Sequence, residues 1–375
     1  MQYTKLKDIN EYVSISINPM KLPNTMFEMY SVPIYETGHP EYLSGNEIGS
    51  NKVIVKKNDV LLCKINPRIN RVWVVSDESE HQSIASSEWI VIRSNTYNPE
   101  FLAWYFRCPK FKKLMISEVT GIGGSLTRAQ PKAVAEYPVP VLSIDEQEKI
   151  VGVLNKVNSI IGARKRELQK LDELIRARFV EMFEDEKNLM AMSDICSIIT
   201  DGTHQPPKFK KDGIPFIFVS NITGDKLTYD AEKFIDQDTY DELVKRTPIE
   251  IGDVLLSTVG SYGHPAVVKS EKKFLFQRHI AYLKPRREFV DSDYLHGAIL
   301  SPEAQRQIEE GVKGIAQKTL NLSEIKKMRI PVPNMVKQKE FAAFVSHVDK
   351  SKAVIQKSLD EMQLLFDSLM QQYFG

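Results

Sequence analysis

The sequence predicts an α+β protein: two similar mixed α/β domains separated by two long antiparallel coiled-coil helices, arranged as a pseudo-twofold internal repeat. Three observations predict it. Blocks of the first half return in the same order in the second half. Each copy closes on a long run of heptad-spaced apolar residues, and ahead of each run lie short strand-like segments and turn signals without a regular βαβ rhythm.

The repeat is explicit. Asn58-Asp59-Val60-Leu61-Leu62 returns as Gly252-Asp253-Val254-Leu255-Leu256, Gly121-Ile122 as Gly314-Ile315, Pro138-Val139-Pro140 as Pro331-Val332-Pro333, and Gln147-Glu148-Lys149 as Gln338-Lys339-Glu340. The offset drifts only from 194 to 191 positions over these blocks, whereas Leu6-Lys7-Asp8-Ile9 pairs with Met192-Ser193-Asp194-Ile195 at 186. Divergence between start and middle is what one scaffold with two different reading surfaces produces. The expected division is a first domain over 1–144, a long helix over 145–185, a second domain over 186–334 and a second long helix over 335–375.

The helices follow from periodicity. Leu154, Ile161, Leu168, Ile175 and Met182 recur every seven residues, and Val157 and Leu171 supply much of a second seam. Arg164 and Arg178 interrupt that seam, so their heads are expected to reach past it along their apolar stems. Ser143-Ile144-Asp145-Glu146 supplies a start signal near residue 145, with acids at the positive end of the helix dipole. The second copy carries Phe341, Val345, Val348, Ile355, Leu359, Met362, Phe366, Leu369 and Tyr373, with Lys352 as its polar intruder. About 40 residues make roughly 60 Å of helix, more than a domain of this size needs, so the pair reads as a spacer. The second helix can bury its stripe on the first only by running back.

In the first domain, Lys52 to Val55, Val60 to Lys64, Val72 to Val75 and Trp89 to Arg93 read as strands and Pro99 to Lys113 as helix. The second repeats this with strand candidates Asp253 to Thr258, Pro265 to Lys269, His279 to Leu283 and Asp291 to Ile299, followed by Pro302 to Glu310. A stretch from Thr200-Asp201-Gly202-Thr203-His204-Gln205-Pro206-Pro207-Lys208 to the strand-like Gly213-Ile214-Pro215-Phe216-Ile217 has no evident counterpart in the first copy.

Polar and basic side chains gather on predicted turns. The first copy has Lys64, Asn66, Arg68, Asn70 and Arg71; the second has Ser261, Tyr262, His264, Gln277, Arg278 and His279. A further polar loop precedes each Pro-Val-Pro segment: Gly121-Ile122-Gly123-Gly124-Ser125-Leu126-Thr127-Arg128, and Gly314-Ile315-Ala316-Gln317-Lys318-Thr319. Arg, Lys, Asn and Gln are the side chains that pair with base edges, and turns present them without burying unpaired backbone. The candidate DNA-contacting residues are therefore Lys64, Arg68, Asn70, Arg71, Thr127 and Arg128 in the first copy. In the second they are His204, Gln205, Lys208, Ser261, Tyr262, His264, Gln277, Arg278, Gln317 and Lys318.

Composition narrows the classes. A formal charge of +1 with 26% charged residues gives no global basic excess, so affinity for nucleic acid must be local or shared with partners. Three cysteines without metal-ligand spacing favour free thiols, and no apolar run reaches the length of a membrane span, which together point to the cytoplasm. The chain shows no P-loop, nucleophile elbow, HExxH helix or paired zinc ligands. His204, His264 and His279 lack a partnering carboxylate pattern and read as loop or packing histidines. Asn66-Pro67-Arg68-Ile69 is similar to the base-holding loop of adenine methyltransferases but lacks its second proline and aromatic, and reads as a turn. No cofactor, metal or catalytic residue is expected.

Assembled in this order, the pieces resemble the specificity subunit of type I restriction-modification systems over nearly the full length. The residues that carry the likeness are Asp201-Gly202-Thr203-His204 with Gly213-Ile214-Pro215-Phe216, then Gly252-Asp253-Val254-Leu255-Leu256, Gln277-Arg278-His279, and the Pro-Val-Pro segment leading into a long helix, twice. The resemblance implies two target-recognition domains, each reading one half of a bipartite, asymmetric site on double-stranded DNA. It also implies that the helices set the gap and dock two methyltransferase subunits, which hold S-adenosylmethionine, and that a translocating nuclease subunit joins for restriction. The first copy departs from the pattern by lacking an Asp-Gly-Thr-His loop. The competing reading is a coiled-coil scaffold that bridges proteins without touching DNA; a stand-alone modification enzyme is disfavoured by the missing catalytic and cofactor loops.

Overall fold

The computed structural model describes residues 2–76, 79–117, 119–120, 127–314 and 317–375, with the side chains of 119 and 120 left aside. The chain divides into two compact units, Met1–Ala163 with Ser358–Gly375, and Arg164–Lys357. Each contains one globular head and parts of two 40-residue helices, Ile144–Phe183 and Met335–Phe374.

The first long helix opens on a capping box. Glu146 accepts the Ser143 backbone N–H at 2.9 Å, and the Ser143 hydroxyl oxygen accepts the Glu146 N–H at 3.4 Å. Asn334 caps the second by accepting the Lys337 N–H at 3.0 Å. Within the second unit the helices run antiparallel. Asp172 of the first pairs with Lys352 of the second, while Arg178 and Phe179, further along, meet Glu340 and Phe341, further back. Arg164 and Arg178 make outward ion pairs with Glu167 and Glu181, as their place in the seam predicts. Within the first unit, Ile150, Val151 and Leu154 share a core with Met370 and Phe374. The seam reading omits Phe179, Phe183, Met370 and Phe374, all buried, because the helix ends enter the head cores as well as facing each other.

Each head is built on a central strand, Val60–Cys63 in the first and Val254–Ser257 in the second, fully buried. Val60–Cys63 lies between Val72–Val74 and Trp89–Ile92; Val254–Ser257 lies between Pro265–Val267 and Ile280–Pro285, and Cys196–Asp201 extends the second sheet. The helix expected over Pro99 to Lys113 is two helices, Pro99–Arg107 and Pro109–Ser117, because proline restarts the chain at 109.

Three expectations are corrected. Asp291 to Ile299 is not a strand: Ser292–Ile299 is a helix capped by Asp291, whose carboxylate accepts the Asp293 and Tyr294 N–H groups. Five of its eight residues are buried, so its apolar pattern does not distinguish helix from strand. Secondly, Ile214–Ile217 does have a counterpart. It lies parallel to Leu275–Phe276 and antiparallel to Phe234–Ile235; in the first head Met26–Tyr30 lies parallel to Gln82–Ala85 and antiparallel to Glu41–Ser44. Thirdly, the Pro-Val-Pro segments are not structural equivalents. Tyr3 pairs with Pro140 and Leu189 with Pro331, which sets Pro140, not Pro138, against Pro331.

Asp59 and Asp253 enter the central strands buried, each accepting a backbone N–H from three residues earlier. Their other partners differ. Arg93 clamps Asp59 with two 2.7 Å bonds, whereas Asp253 accepts the Tyr282 hydroxyl at 2.7 Å and its Oδ1 has no hydrogen-bond partner among the described residues. Burial, the larger cause, pushes the Asp253 carboxyl above its ordinary 3.8, outweighing the Tyr282 bond. Its contribution to stability is therefore full below the unfolded value and lost as pH rises through the folded one. Asp59→Asn is expected to cost about 1–3 kcal/mol by leaving Arg93 half-buried without its carboxylate. Asp253→Asn should stay within about 1 kcal/mol of the wild type at pH 7 and gain relative to it as pH rises. Chemical unfolding at pH 4 and pH 7 checks both.

Among the described residues no helix is long and apolar enough to cross a membrane, and no group of three or more His, Cys, Asp or Glu is placed to hold a metal ion.

Candidate nucleic-acid interface

In the second head, sheet register gathers the loops. Ser257 pairs with Ile280 and Asp201 with Ala281, so the segments 202–205, 258–264 and 277–279 leave one edge of the sheet together. The hairpin Val312–Lys313 and Thr319–Leu320 joins them: Val259 bridges Thr319, and the Leu320 N–H donates to the Thr258 carbonyl at 2.8 Å. Thr203 bridges Gln277, its N–H reaches the Phe276 carbonyl at 2.9 Å, and the Arg278 N–H returns to the Thr203 carbonyl at 3.0 Å. Backbone ladders of this kind hold side chains on a fixed frame although they lie in loops.

The side chains on that frame are mostly polar and paired. His204 lies 2.9 Å from Asp201, which also holds Arg246, a residue of the short turn Val244–Arg246. The Arg278 Nε donates to His279 at 3.4 Å, and burial first, then Arg278, holds the His279 imidazole below its ordinary range. Tyr262 donates its hydroxyl to Glu309, and Lys318 lies 3.1 Å from Glu309 and 5.8 Å from the Tyr262 ring. Gln205, Lys208, Ser261 and Gln317 are exposed. His264 is engaged elsewhere: its Nδ1 is 2.8 Å from Asp225, and its backbone N–H donates to Ser257.

The first head repeats the frame with other side chains. Ile65 bridges Arg128, the Ala129 N–H donates to the Lys64 carbonyl at 2.8 Å, and the Asn66 N–H to the Thr127 carbonyl at 2.8 Å. Asn66 takes the left-handed turn conformation, φ +47°, that Gly260 takes at +74° in the second head, which accounts for the Asn-Pro turn. Lys64 is half-buried and Arg68 exposed, while Arg128 extends to Glu88 with two bonds of 3.3 Å. Asn70 and Thr127 turn inward. Asn70 donates to the Phe106 carbonyl at 3.2 Å, and its Oδ1, the Arg71 Nε and the Thr127 hydroxyl are buried without a hydrogen-bond partner among the described residues. Of the glycine-rich loop, 121–126 lie outside the described residues, as do Ile315 and Ala316 of its counterpart.

Sequence reasoning misses Arg246, Glu88 and Glu309. Each reaches the surface from a segment far along the chain: Arg246 is 42 residues from His204 and Glu88 is 40 from Arg128. No short motif announces them.

Residues 184–363 match the family described as type I restriction modification DNA specificity domain. Among curated relatives, the chain is 26% identical over 177 residues to the type I restriction enzyme EcoBI specificity subunit of Escherichia coli, covering 46% of this chain and 37% of that one. It is 17% identical over 348 residues to the type I restriction enzyme MjaVIII specificity subunit of Methanocaldococcus jannaschii, covering 84% of this chain and 78% of the relative. Of the first relative, then, the chain spans little more than a third. Among solved structures, a chain from work on complex assembly and conformational transition of the type I restriction-modification system aligns with TM-score 0.59 and 18% identity, over 100% of this chain and 97% of that one. The type I restriction-modification S subunit from M. genitalium aligns with TM-score 0.55 and 10% identity, over 100% and 96%. At these identities the two structures speak for a shared fold.

Proposed function

We propose that this chain, whose residues 184–363 match the type I restriction modification DNA specificity domain and which is similar to type I specificity subunits, is the non-catalytic DNA-reading subunit of a type I restriction-modification complex. Each head reads one half of a split, asymmetric site. The observation that carries this is the same loop frame in both heads bearing different side chains: Lys64, Arg68 and Arg128 in one, and Tyr262, Gln277, Arg278 and Lys318 in the other. A common frame presented with different donors and acceptors reads different bases, since arginine pairs with guanine and glutamine with adenine in the major groove. Lysines and the Asp201-held Arg246 supply phosphate contacts that position the head. The long helices set the gap between half-sites and dock two methyltransferase subunits; a nuclease subunit completes a restriction complex. With a net charge of +1, the chain gains much of its DNA affinity from those partners. Methyl transfer and S-adenosylmethionine belong to the methyltransferase, and the assembly works in the cytoplasm on double-stranded DNA.

The test is to combine the chain with the methyltransferase of its own system and map modified bases on random DNA. A two-part consensus with a constant gap is expected; methylation without one returns the protein to the scaffold reading. Exchanging 200–284 for the same segment of a relative should change one half-site and leave the other intact. A change in both, or in neither, refutes modular reading.

A further inference from the structure

Two glutamines single themselves out. Gln147 and Gln338 lie in the first turns of the two long helices, 191 positions apart in the repeat, and both are fully buried. The Gln338 Oε1 accepts the Asp291 backbone N–H at 2.9 Å, while its Nε2 donates to the carbonyls of Phe289 at 2.9 Å and Pro333 at 2.8 Å. Gln147 does the same work in the first head: its Oε1 accepts the Asn98 N–H at 2.8 Å and its Nε2 donates to the Leu142 carbonyl at 3.0 Å.

The groups they touch are equivalent as well. Asn98 and Asp291 cap the head helices Pro99–Arg107 and Ser292–Ile299, their own side chains spent on the first helical amides. Leu142 and Pro333 lie in the connection that leads into each long helix. One buried amide thus joins three segments: the head helix, the connection and the long helix. The surrounding apolar contacts supply most of the attraction, but they are non-directional and permit one surface to turn on another. Hydrogen bonds to a planar amide are directional, and a buried amide left unpaired is costly, so the pair of bonds selects one angle.

We propose that Gln147 and Gln338 are positioning residues: each fixes the angle at which a head is mounted on its long helix, and so the spacing at which its half-site is read, not the bases. This rests on the DNA-reading function proposed above. Successive bases lie about 3.4 Å apart along a strand, so a small rotation at the mount is enough to move the reading loops by one base pair.

The experiment uses the full chain with its methyltransferase and the near-isosteric variant Gln338→Met. The Asp291 amide should exchange its hydrogen about tenfold faster, with Asn98 unchanged. The mapped half-sites should keep their sequences, while the accepted gap broadens by about one base pair in either direction. Gln147→Met should give the mirror result. Gln338→Glu, which keeps an acceptor for Asp291 but loses the two amide donors, should preserve Asp291 protection and give an intermediate gap tolerance; it decides the matter if the methionine variant does not fold. A wild-type gap in the variants that fold overturns the proposal, since a merely structural role lowers stability and leaves spacing alone. If the wild-type complex shows no split consensus, the DNA reading has failed, and exchange alone judges the mount: loss confined to Asp291 supports it and unchanged exchange refutes it.

Discussion

Replacing Phe341 by alanine is expected to destabilise the second unit by about 3–5 kcal/mol, the cost of deleting a fully buried aromatic ring. Phe341 has no exposed surface, and its ring lies 5.3 Å from Phe179, 5.8 Å from Phe183 and 6.1 Å from Tyr294. These four rings come from the end of the first long helix, the start of the second and the head helix Ser292–Ile299. Edge-on contacts among them add to the burial. Gly297 shows how closely they meet, for a β-carbon there would overlap the Phe341 ring. Alanine at 341 leaves a cavity that three separate helices border, and such a site collapses poorly because no single side chain can swing to fill it. Hydrogen exchange resolved by segment is the measurement: protection should fall across 179–183, 290–299 and 338–348 and persist in the core around Phe101 and Leu154. A loss below about 1 kcal/mol would mean that these rings do not hold helices and head together.

If each head reads a half-site as proposed, Gly202→Val should abolish reading by the second head while sparing the first. A β-carbon at 202 would lie inside the envelope of the Phe276 carbonyl oxygen and against that of Gln277, and neither can step aside without losing a hydrogen bond, from the Thr203 N–H to the first and from the Ile280 N–H to the second. The Gly202 N–H donates to the Ile280 carbonyl at 3.1 Å, so the clash falls on the link that sets Thr203 against Gln277 and Arg278. The packing cost is about 1–3 kcal/mol. If Gln277 and Arg278 make the base contacts proposed above, the functional cost is larger, because losing two contacts of about 1–3 kcal/mol each weakens specific binding by roughly tenfold or more per contact. Methylation mapping should show the second half-site relaxed and the first unchanged. Gly224→Ala is the control: no atom lies within 4 Å of the added carbon, and the target should not change. An intact second half-site in G202V would remove this loop from the reading surface.

The elements that emerged from the chain alone are those whose signal is local. Heptad spacing marks both long helices, and Ser143 with Glu146 marks where the first begins. The twice-written Asp-Val-Leu-Leu marks both central strands. Where the signal is not local, reading fails in identifiable ways. Ser292–Ile299 is buried on most sides and so loses the one-sided pattern that tells a helix from a strand. Met26–Tyr30 and Ile214–Ile217 share their place in the two heads without sharing words, because parallel pairing is set by core packing across a long connection. The repeated Pro-Val-Pro aligns as text two residues away from its place in the sheet, since ladder pairing obeys hydrogen-bond register and not spelling.

The candidate surface divides the same way. Exposed turn residues such as Arg68, Gln205, Lys208 and Ser261 follow from turn chemistry written in consecutive residues. The pairings of Arg128 with Glu88, Lys318 with Glu309 and Arg246 with Asp201, the withdrawal of Asn70 and Thr127, the engagement of His264 by Asp225, and the mounting of each head on a buried glutamine do not. Period, caps and repeats are properties of neighbours along the chain, and they survive in a bare string of letters. An ion pair or a shared amide exists only when sheet register and core packing bring polar groups from separate segments within about 3 Å of each other, and no run of consecutive residues encodes that distance.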